Sequence, residues 1–159
     1  MRTEDFERLY DQHAQALYGF LAYRTGNPAL AEDLLADTFE KALRARRRFD
    51  PRRGSTKNWL YSIALNTLRD NARRREVADR AAERLAPPEA VEDVEESLGR
   101  RDELSRALAA LSEEEREVVA LRYGADLTAP EIARVTGEKL TTVEGRLYRA
   151  LRKLRERLD

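Results

Sequence analysis

The stretch Thr128-Ala129-Pro130-Glu131-Ile132-Ala133-Arg134-Val135-Thr136-Gly137-Glu138-Lys139-Leu140-Thr141-Thr142-Val143-Glu144 decides the fold. Thr128 with Glu131, and Thr141 with Glu144, repeat a pattern in which a hydroxyl and a carboxylate satisfy the first free amides of a helix, so two helix starts are expected. Between them Ala133, Gly137 and Val143 stand at offsets of zero, four and ten. They supply a small residue where two helices cross, a turn glycine able to take positive φ, and a branched apolar residue that anchors the second helix. This is helix-turn-helix spacing. The second helix then carries Arg146, Arg149, Arg152, Lys153, Arg155 and Arg157. That charge suits a helix lying along a major groove, with early residues against base edges and later ones on phosphates. An ordinary helical hairpin would share the spacing but has no need of the basic face.

Upstream of this pair, Ser112-x-x-Glu115 marks a third capping box, and Leu104, Ala107, Leu108 and Leu111 mark a helix before it. Four helices therefore fill residues 101–159. Residues 86–97 combine a Pro pair with five acids and no base, which reads as a linker, or else as an acidic helix packed between domains. At the N-terminus, Phe6, Leu9, Tyr10, His13, Leu17, Phe20 and Leu21 predict an amphipathic helix over residues 4–23, ended by Gly26-Asn27-Pro28. A second helix is expected over about Pro28–Arg46, burying Leu30, Leu34, Leu35, Thr38, Phe39, Ala42 and Leu43. A basic loop over residues 47–56 precedes a third helix, which begins near Lys57 and buries Trp59, Leu60, Ile63, Ala64, Thr67 and Leu68. The expected architecture is all-α: two small helical domains, 1–75 and 101–159, joined by an acidic linker over 76–100.

Composition agrees and excludes much else. The 159 residues hold 30 Lys+Arg against 30 Asp+Glu, 42% hydrophobic and 38% charged residues, with too few Gly and Pro for a many-stranded or Gly-rich nucleotide-binding fold. There is no Cys and a single His, so a disulfide framework, a thiolate nucleophile, thiol sensing, a tetrahedral zinc site and a Ser-His-Asp arrangement all lack parts. His13, on or beside the first apolar stripe, is read as a packed side chain and not a ligand. No catalytic residue, metal site or cofactor is expected. No run approaches the roughly 18 to 20 apolar residues of a membrane span, and no leader is visible, so a cytoplasmic protein without membrane insertion is expected.

The zero net charge sums unlike segments. Residues 1–75 hold 15 basic and 10 acidic side chains, residues 76–100 hold 3 and 8, and residues 101–159 hold 12 of each. Lys41, Arg44, Arg46, Arg47, Arg48, Arg52, Arg53 and Lys57 oppose only Asp50, a cluster that would attract a polyanion.

Three runs carry a family resemblance: Glu113-Glu114-Glu115-Arg116-Glu117-Val118-Val119-Ala120-Leu121-Arg122-Tyr123, then Leu127-Thr128-Ala129-Pro130-Glu131-Ile132-Ala133, then Thr142-Val143-Glu144-Gly145-Arg146-Leu147-Tyr148-Arg149-Ala150-Leu151. They closely resemble the fourth conserved region of bacterial sigma factors. Ala31-Glu32-Asp33-Leu34-Leu35-Ala36-Asp37-Thr38-Phe39 and the run Trp59 to Arg74 independently resemble the second region. Found in this order and covering nearly the whole chain, they resemble an extracytoplasmic-function sigma factor.

The resemblance implies a division of labour. Asp33, Leu34, Asp37 and Thr38 fall where the family binds the β′ coiled coil of core RNA polymerase, while Phe39 reads as core. Ala36 replaces a glutamine common there, which removes one hydrogen bond worth about 1 kcal/mol. The loop and helix over Phe49–Arg75 would recognise and melt the minus-10 element, with Arg52, Arg53, Ser55, Thr56, Lys57 and Asn58 in the loop. Asn66, Asp70, Arg73 and Arg74 would meet its upstream duplex edge, although Asp70 could instead pair with Arg73 or Arg74. Trp59 could stack on a base but reads more naturally as core. Minus-35 recognition would fall to Thr142, Glu144, Gly145, Tyr148 and Arg149. Arg146 lies beside them, Lys139 near a phosphate, and Thr128 and Thr141 at the two helix starts. Glu144 stands where the family commonly has a basic residue and Gly145 where it has serine, so Glu144 either reads a cytosine amino group or caps the helix.

The function so implied is promoter-specific initiation: the chain binds core RNA polymerase through the β′ coiled coil and β flap, and recognises promoter DNA. An anti-sigma factor is the implied inhibitor, and the chain would act as a monomer within the holoenzyme. Two other classes fit less of the sequence: a helix-turn-helix regulator acting without polymerase, and a module that holds polymerase or an anti-sigma protein unproductively.

Overall fold

The computed structural model describes residues 1–83 and 100–158, so the acidic run 86–97 lies outside the described residues. Among them there is no strand. Helix α1 spans Thr3–Thr25 and stops where Gly26 takes φ 63° and returns its N–H to the Ala22 carbonyl. Asn27 then caps α2, Pro28–Ala45: its side-chain oxygen accepts the Leu30 N–H at 3.2 Å, and Pro28 fills the first turn, where no donor is needed. A 3-10 turn, Arg46–Arg48, leads into the loop, and α3 spans Thr56–Glu83.

Helix α3 outlasts its apolar period. From Glu76 to Ala82 its side chains are exposed, yet Ala, Arg and Glu sustain the helix and Arg80 pairs with Glu76 at 2.6 Å. Leu9, Leu17, Phe20 and Leu21 of α1 and Ala31, Leu34, Phe39 and Ala42 of α2 close on α3. At the stripe edges, Tyr10 and Leu43 are exposed instead. Two residues outside the expected stripe of α3, Tyr61 and Leu65, are fully buried, because α1, α2 and α6 all pack against this helix. Tyr61 lies edge-on to Phe20 with ring centroids 5.8 Å apart; its hydroxyl has no partner among the described residues, and burial pushes its pKa to about 12.

The C-terminal helices are α4 (Arg100–Ala109), α5 (Glu113–Val119), α6 (Ala129–Thr136) and α7 (Leu140–Leu158). Helix α5 runs on into a π-helical turn, Ala120–Gly124, whose Ala125 N–H returns to the Ala120 carbonyl. Nothing in the apolar pattern signals this turn. It swings Leu121, Ala125 and Leu127 into the core.

Two of the three expected capping boxes form. The Ser112 and Thr128 side chains accept the Glu115 and Glu131 N–H groups, while those carboxylates accept the Ser112 and Thr128 N–H groups in return. The third does not form. Helix α7 already begins at Leu140, with the Val143 N–H on the Lys139 carbonyl, so Thr141 lies inside the helix instead of before it.

The two sets of helices share one core. Val118, Leu121, Leu127, Ile132 and Val135 belong to the same buried cluster as Leu17, Leu21, Leu60 and Leu65. The π turn packs on α1, α6 packs on α3, and Arg69 of α3 faces Glu117 of α5 at 3.7 Å.

Candidate nucleic-acid interface

The helix-turn-helix is built as its spacing demands. Gly137 ends α6 at φ 76°, its N–H on the Ala133 carbonyl at 3.0 Å, and Val143 is completely buried on the inner side of α7. A β-carbon at φ 76° is strained, so glycine holds the turn. With Val143 and Ala150 turned inward, α7 leaves Lys139, Thr141, Glu144, Tyr148 and Arg149 exposed along one side, with Thr142 and Gly145 half-buried beside them. Tyr148 is 68% exposed, which suits a residue awaiting a partner and costs apolar surface in water until one arrives.

Three candidates in this group have other work. Thr128 is the cap of α6, and Arg146 pairs with Glu138 at 3.4 Å on a largely covered flank. Arg149 folds back along the helix, so that a β-carbon added to Gly145 would lie 3.2 Å from its Nη1. Glu144 makes no cap, since the third box is absent, and its side chain stands exposed.

On the inner side of α7 an ion pair between the half-exposed Lys153 and the buried Glu115 fixes the platform. The Glu115 carboxylate accepts hydrogen bonds from the Lys153 ammonium at 2.6 Å and the Ser112 N–H at 2.9 Å. Burial opposes its ionisation, but these bonds and the Lys153 charge outweigh burial and hold its carboxyl below the usual value.

The basic loop is ordered by Asp50. Its side chain accepts the Arg52 N–H at 3.0 Å and Nε at 3.2 Å, its carbonyl accepts the Arg53 N–H, and both arginine side chains extend into solvent. Ser55 caps α3, its Oγ accepting the Asn58 N–H at 3.1 Å. Thr56 and Lys57 are half-buried, and Asn58 is only 8% exposed. Trp59 packs against Phe49, ring centroids 5.3 Å apart, and is half-buried at the edge of the core. Farther along α3, Asn66, Asp70, Arg73 and Arg74 are all exposed, and Asp70 forms no ion pair with either arginine.

The loop also meets the C-terminal helices. A cavity of about 250 Å³ is walled by the loop and the start of α3, Asn58 and Ser62 among them, and by Arg134 and Val135 of α6. The Glu131 carboxyl is held below its usual value first by the Thr128 N–H, which outweighs burial, and then by the Asn58 side chain and the Lys57 charge across the same junction. His13, half-buried on α1, is kept neutral more readily by burial and by Lys57 nearby. No sequence signal announces these contacts, because their partners lie far apart along the chain.

Helix α2 divides its four candidates. Asp33 is exposed, and Asp37, half-buried, faces Lys41 at 3.3 Å. Leu34 and Thr38 are core residues: Leu34 is 4% exposed, and the buried Thr38 hydroxyl donates to the Leu34 carbonyl at 2.7 Å. They fall on the apolar stripe of the helix and cannot touch a partner from there. Phe39 is likewise buried, edge-on to Phe6 and Tyr10.

Among the described residues, no helix is long and apolar enough to cross a membrane, and no three His, Cys, Asp or Glu gather as metal ligands.

Comparison with known proteins gives these faces a context. Residues 9–77 match the family described as Sigma-70 region 2, and residues 101–154 match Sigma-70 region 4. The chain is 36% identical to the RNA polymerase sigma factor CarQ of Myxococcus xanthus, over 96% of this chain and 88% of that protein. It is 32% identical to the ECF RNA polymerase sigma factor RpoE of Cereibacter sphaeroides, over 97% and 86%. With the ECF RNA polymerase sigma factor BldN of Streptomyces coelicolor it shares 34% identity over 96% of its own length, spanning 60% of that protein. In fold it is similar to the sigma factor RpoE crystallised with the anti-sigma factor NepR from Bartonella quintana, with a TM-score of 0.80, 24% identity and 98% of each chain covered. It is also similar to CnrH in complex with the cytosolic domain of CnrY, with a TM-score of 0.69, 29% identity, and 99% of this chain and 90% of that one covered. These matches run through both regions in order, and the chain belongs to the extracytoplasmic-function family of RNA polymerase sigma factors.

Proposed function

We propose that this chain is a dissociable initiation subunit that binds core RNA polymerase and directs it to promoters with two spaced elements. Helix α7 enters the minus-35 major groove through Thr141, Thr142, Glu144, Tyr148 and Arg149, with Lys139 on a phosphate. Glu144, uncapped and exposed, is placed to accept from a cytosine amino group. The loop Arg52–Asn58 and the face Asn66, Asp70, Arg73 and Arg74 take the minus-10 element. Unstacking costs a few kcal/mol for each base, and a protein without ATP recovers it from such contacts. The exposed Asp33 and the half-buried Asp37 offer acids to a basic surface on polymerase. The chain performs no catalysis of its own, works in the cytoplasm as one copy per polymerase, and is held in check by an anti-sigma factor, as the complexes of its structural relatives suggest.

The observation that carries the reading is a helix-turn-helix with an exposed recognition face, in a chain that matches both sigma regions in order. The test mixes purified protein, core polymerase and genomic DNA fragments, then maps the 5′ ends of run-off transcripts. New starts sharing two upstream elements are expected. Polymerase binding without starts would point to an unproductive module, and tight palindromic footprints without polymerase would point to a free-standing regulator.

A further inference from the structure

We propose that the chain carries a binding site for a phosphate-bearing anion, held between Arg24 at the end of α1 and Arg116 of α5. Its residues are none of those given to DNA or polymerase above, so the site stands apart from the initiation function.

The two arginines line one cavity of about 180 Å³, together with Tyr23, Ser105, Leu108 and Ala109. Among the described residues no carboxylate borders it. Each guanidinium has its Nε buried without an acceptor, and neither arginine forms an ion pair among the described residues. A buried cationic donor left open is costly, and two of them on one cavity also repel each other, so the pair is explained by an acceptor that enters from solution. Arg24 borders a second cavity that does hold acids, yet there Arg69 faces Glu117 and Arg146 faces Glu138. The last turns of α1 and α4 also lie at the site, and a basic side chain could serve their free carbonyls. Neither Nε does so.

The donors choose the anion. Tyr23 and Arg24 of α1, Ser105 of α4 and Arg116 of α5 offer them from three helices, and both arginine charges reach the Tyr23 phenol, where they pull against the larger effect of burial. A tetrahedral phosphate accepts from several directions, whereas a carboxylate accepts in one plane, and the guanidinium fork matches phosphate oxygens two at a time. At about 180 Å³ the cavity is smaller than the roughly 300 Å³ at which pockets for drug-sized ligands begin, so it takes the phosphate group itself and leaves the rest of any ester outside. Because the anion bridges α1 with α4 and α5, it binds only the folded chain. Binding should therefore raise the melting temperature.

Inorganic phosphate is the probe. Thermal unfolding of the full chain is followed while phosphate replaces chloride at constant ionic strength, and isothermal calorimetry gives the stoichiometry. A saturable rise in melting temperature and one phosphate per chain are expected. Arg24→Gln and Arg116→Gln should each abolish the rise. Arg24→Lys and Arg116→Lys keep the charge and the stem but lose the fork, so they should bind about tenfold more weakly, and they serve if circular dichroism shows a glutamine variant misfolded. Arg80→Gln, on the exposed tail of α3, should respond as wild type does. A nucleoside monophosphate that binds more tightly than inorganic phosphate supports the site as one for a phosphate ester, and equal affinity supports it as one for free phosphate. Absence of calorimetric binding to the wild-type chain overturns the inference. So does a phosphate response of the same size in wild type and all four variants of Arg24 and Arg116, which is a general effect of anions on a basic surface.

Discussion

Glu115 is the residue on which the DNA-reading platform turns. It is a helix cap and a partner of Lys153 at once, and it is buried. Glu115→Gln keeps the shape and removes the charge; hydrogen bonds to charged groups contribute about 1.5 to 3 kcal/mol, so a loss of about 2 kcal/mol is expected in urea unfolding at neutral pH. Its pH dependence has a fixed sign. A carboxyl held lower in the fold than its ordinary 4.5 contributes fully above that value and loses its contribution as pH falls through the lowered one. The gap between wild type and Glu115→Gln should therefore narrow on acidification below about pH 4.5. Gly145 is the second telling residue, because glycine inside a helix costs about 1 kcal/mol relative to alanine. Gly145→Ala should raise the melting temperature while pushing aside the Arg149 guanidinium, whose Nη1 lies 3.2 Å from the new carbon. Any change in minus-35 duplex affinity should disappear when Arg149→Ala is already present, a double-mutant cycle read by fluorescence anisotropy.

At the scale of elements, the helix-turn-helix depends on a single backbone conformation. A β-carbon at Gly137 would meet nothing within 4 Å, so substitution there is penalised by φ 76° alone. Gly137→Ala should cost about 1 to 2 kcal/mol, and Gly137→Asn less, since asparagine tolerates the left-handed region better. Thermal unfolding of the two variants checks the order. The helix ends were legible wherever the signal lay within one turn: Gly26 and Gly137 as stops, Ser112 and Thr128 as caps. The Thr141 pattern misled because the chain enters α7 earlier, and a box needs its threonine outside the helix. Ser55 went unread as a cap because the residue three places on is Asn58 and not an acid. The π turn at Ala120–Gly124 has no local signature; it forms because it seats Leu121 and Leu127 against α1.

For the whole molecule, the shared core sets the behaviour. With α6 on α3 and the π turn on α1, the N-terminal and C-terminal helices should unfold together. Trp59, the only tryptophan, lies at the junction and reports on it, while far-ultraviolet circular dichroism reports on every helix. Coincident urea transitions by the two probes are expected for the wild-type chain, and transitions that separate would show that the two sets of helices unfold independently.

The sequence by itself determined the all-helical class, most helix boundaries, the helix-turn-helix and the family, because each is written in residues three or four positions apart on one helix or in runs that keep their order. It also marked the exposed basic and polar residues of α7 and α3. What only the tertiary structure decided was access. Leu34 and Thr38 share a helix with Asp33 and Asp37, yet packing turns the first two inward. Tyr61 and Leu65 are buried because α3 is covered from several sides, and Asn58 is buried at the start of α3, beside the junction with α6. Pairs such as Arg69 with Glu117 are made by chain segments remote in sequence, and their attraction exists only once both segments are folded and the core between them has brought them together.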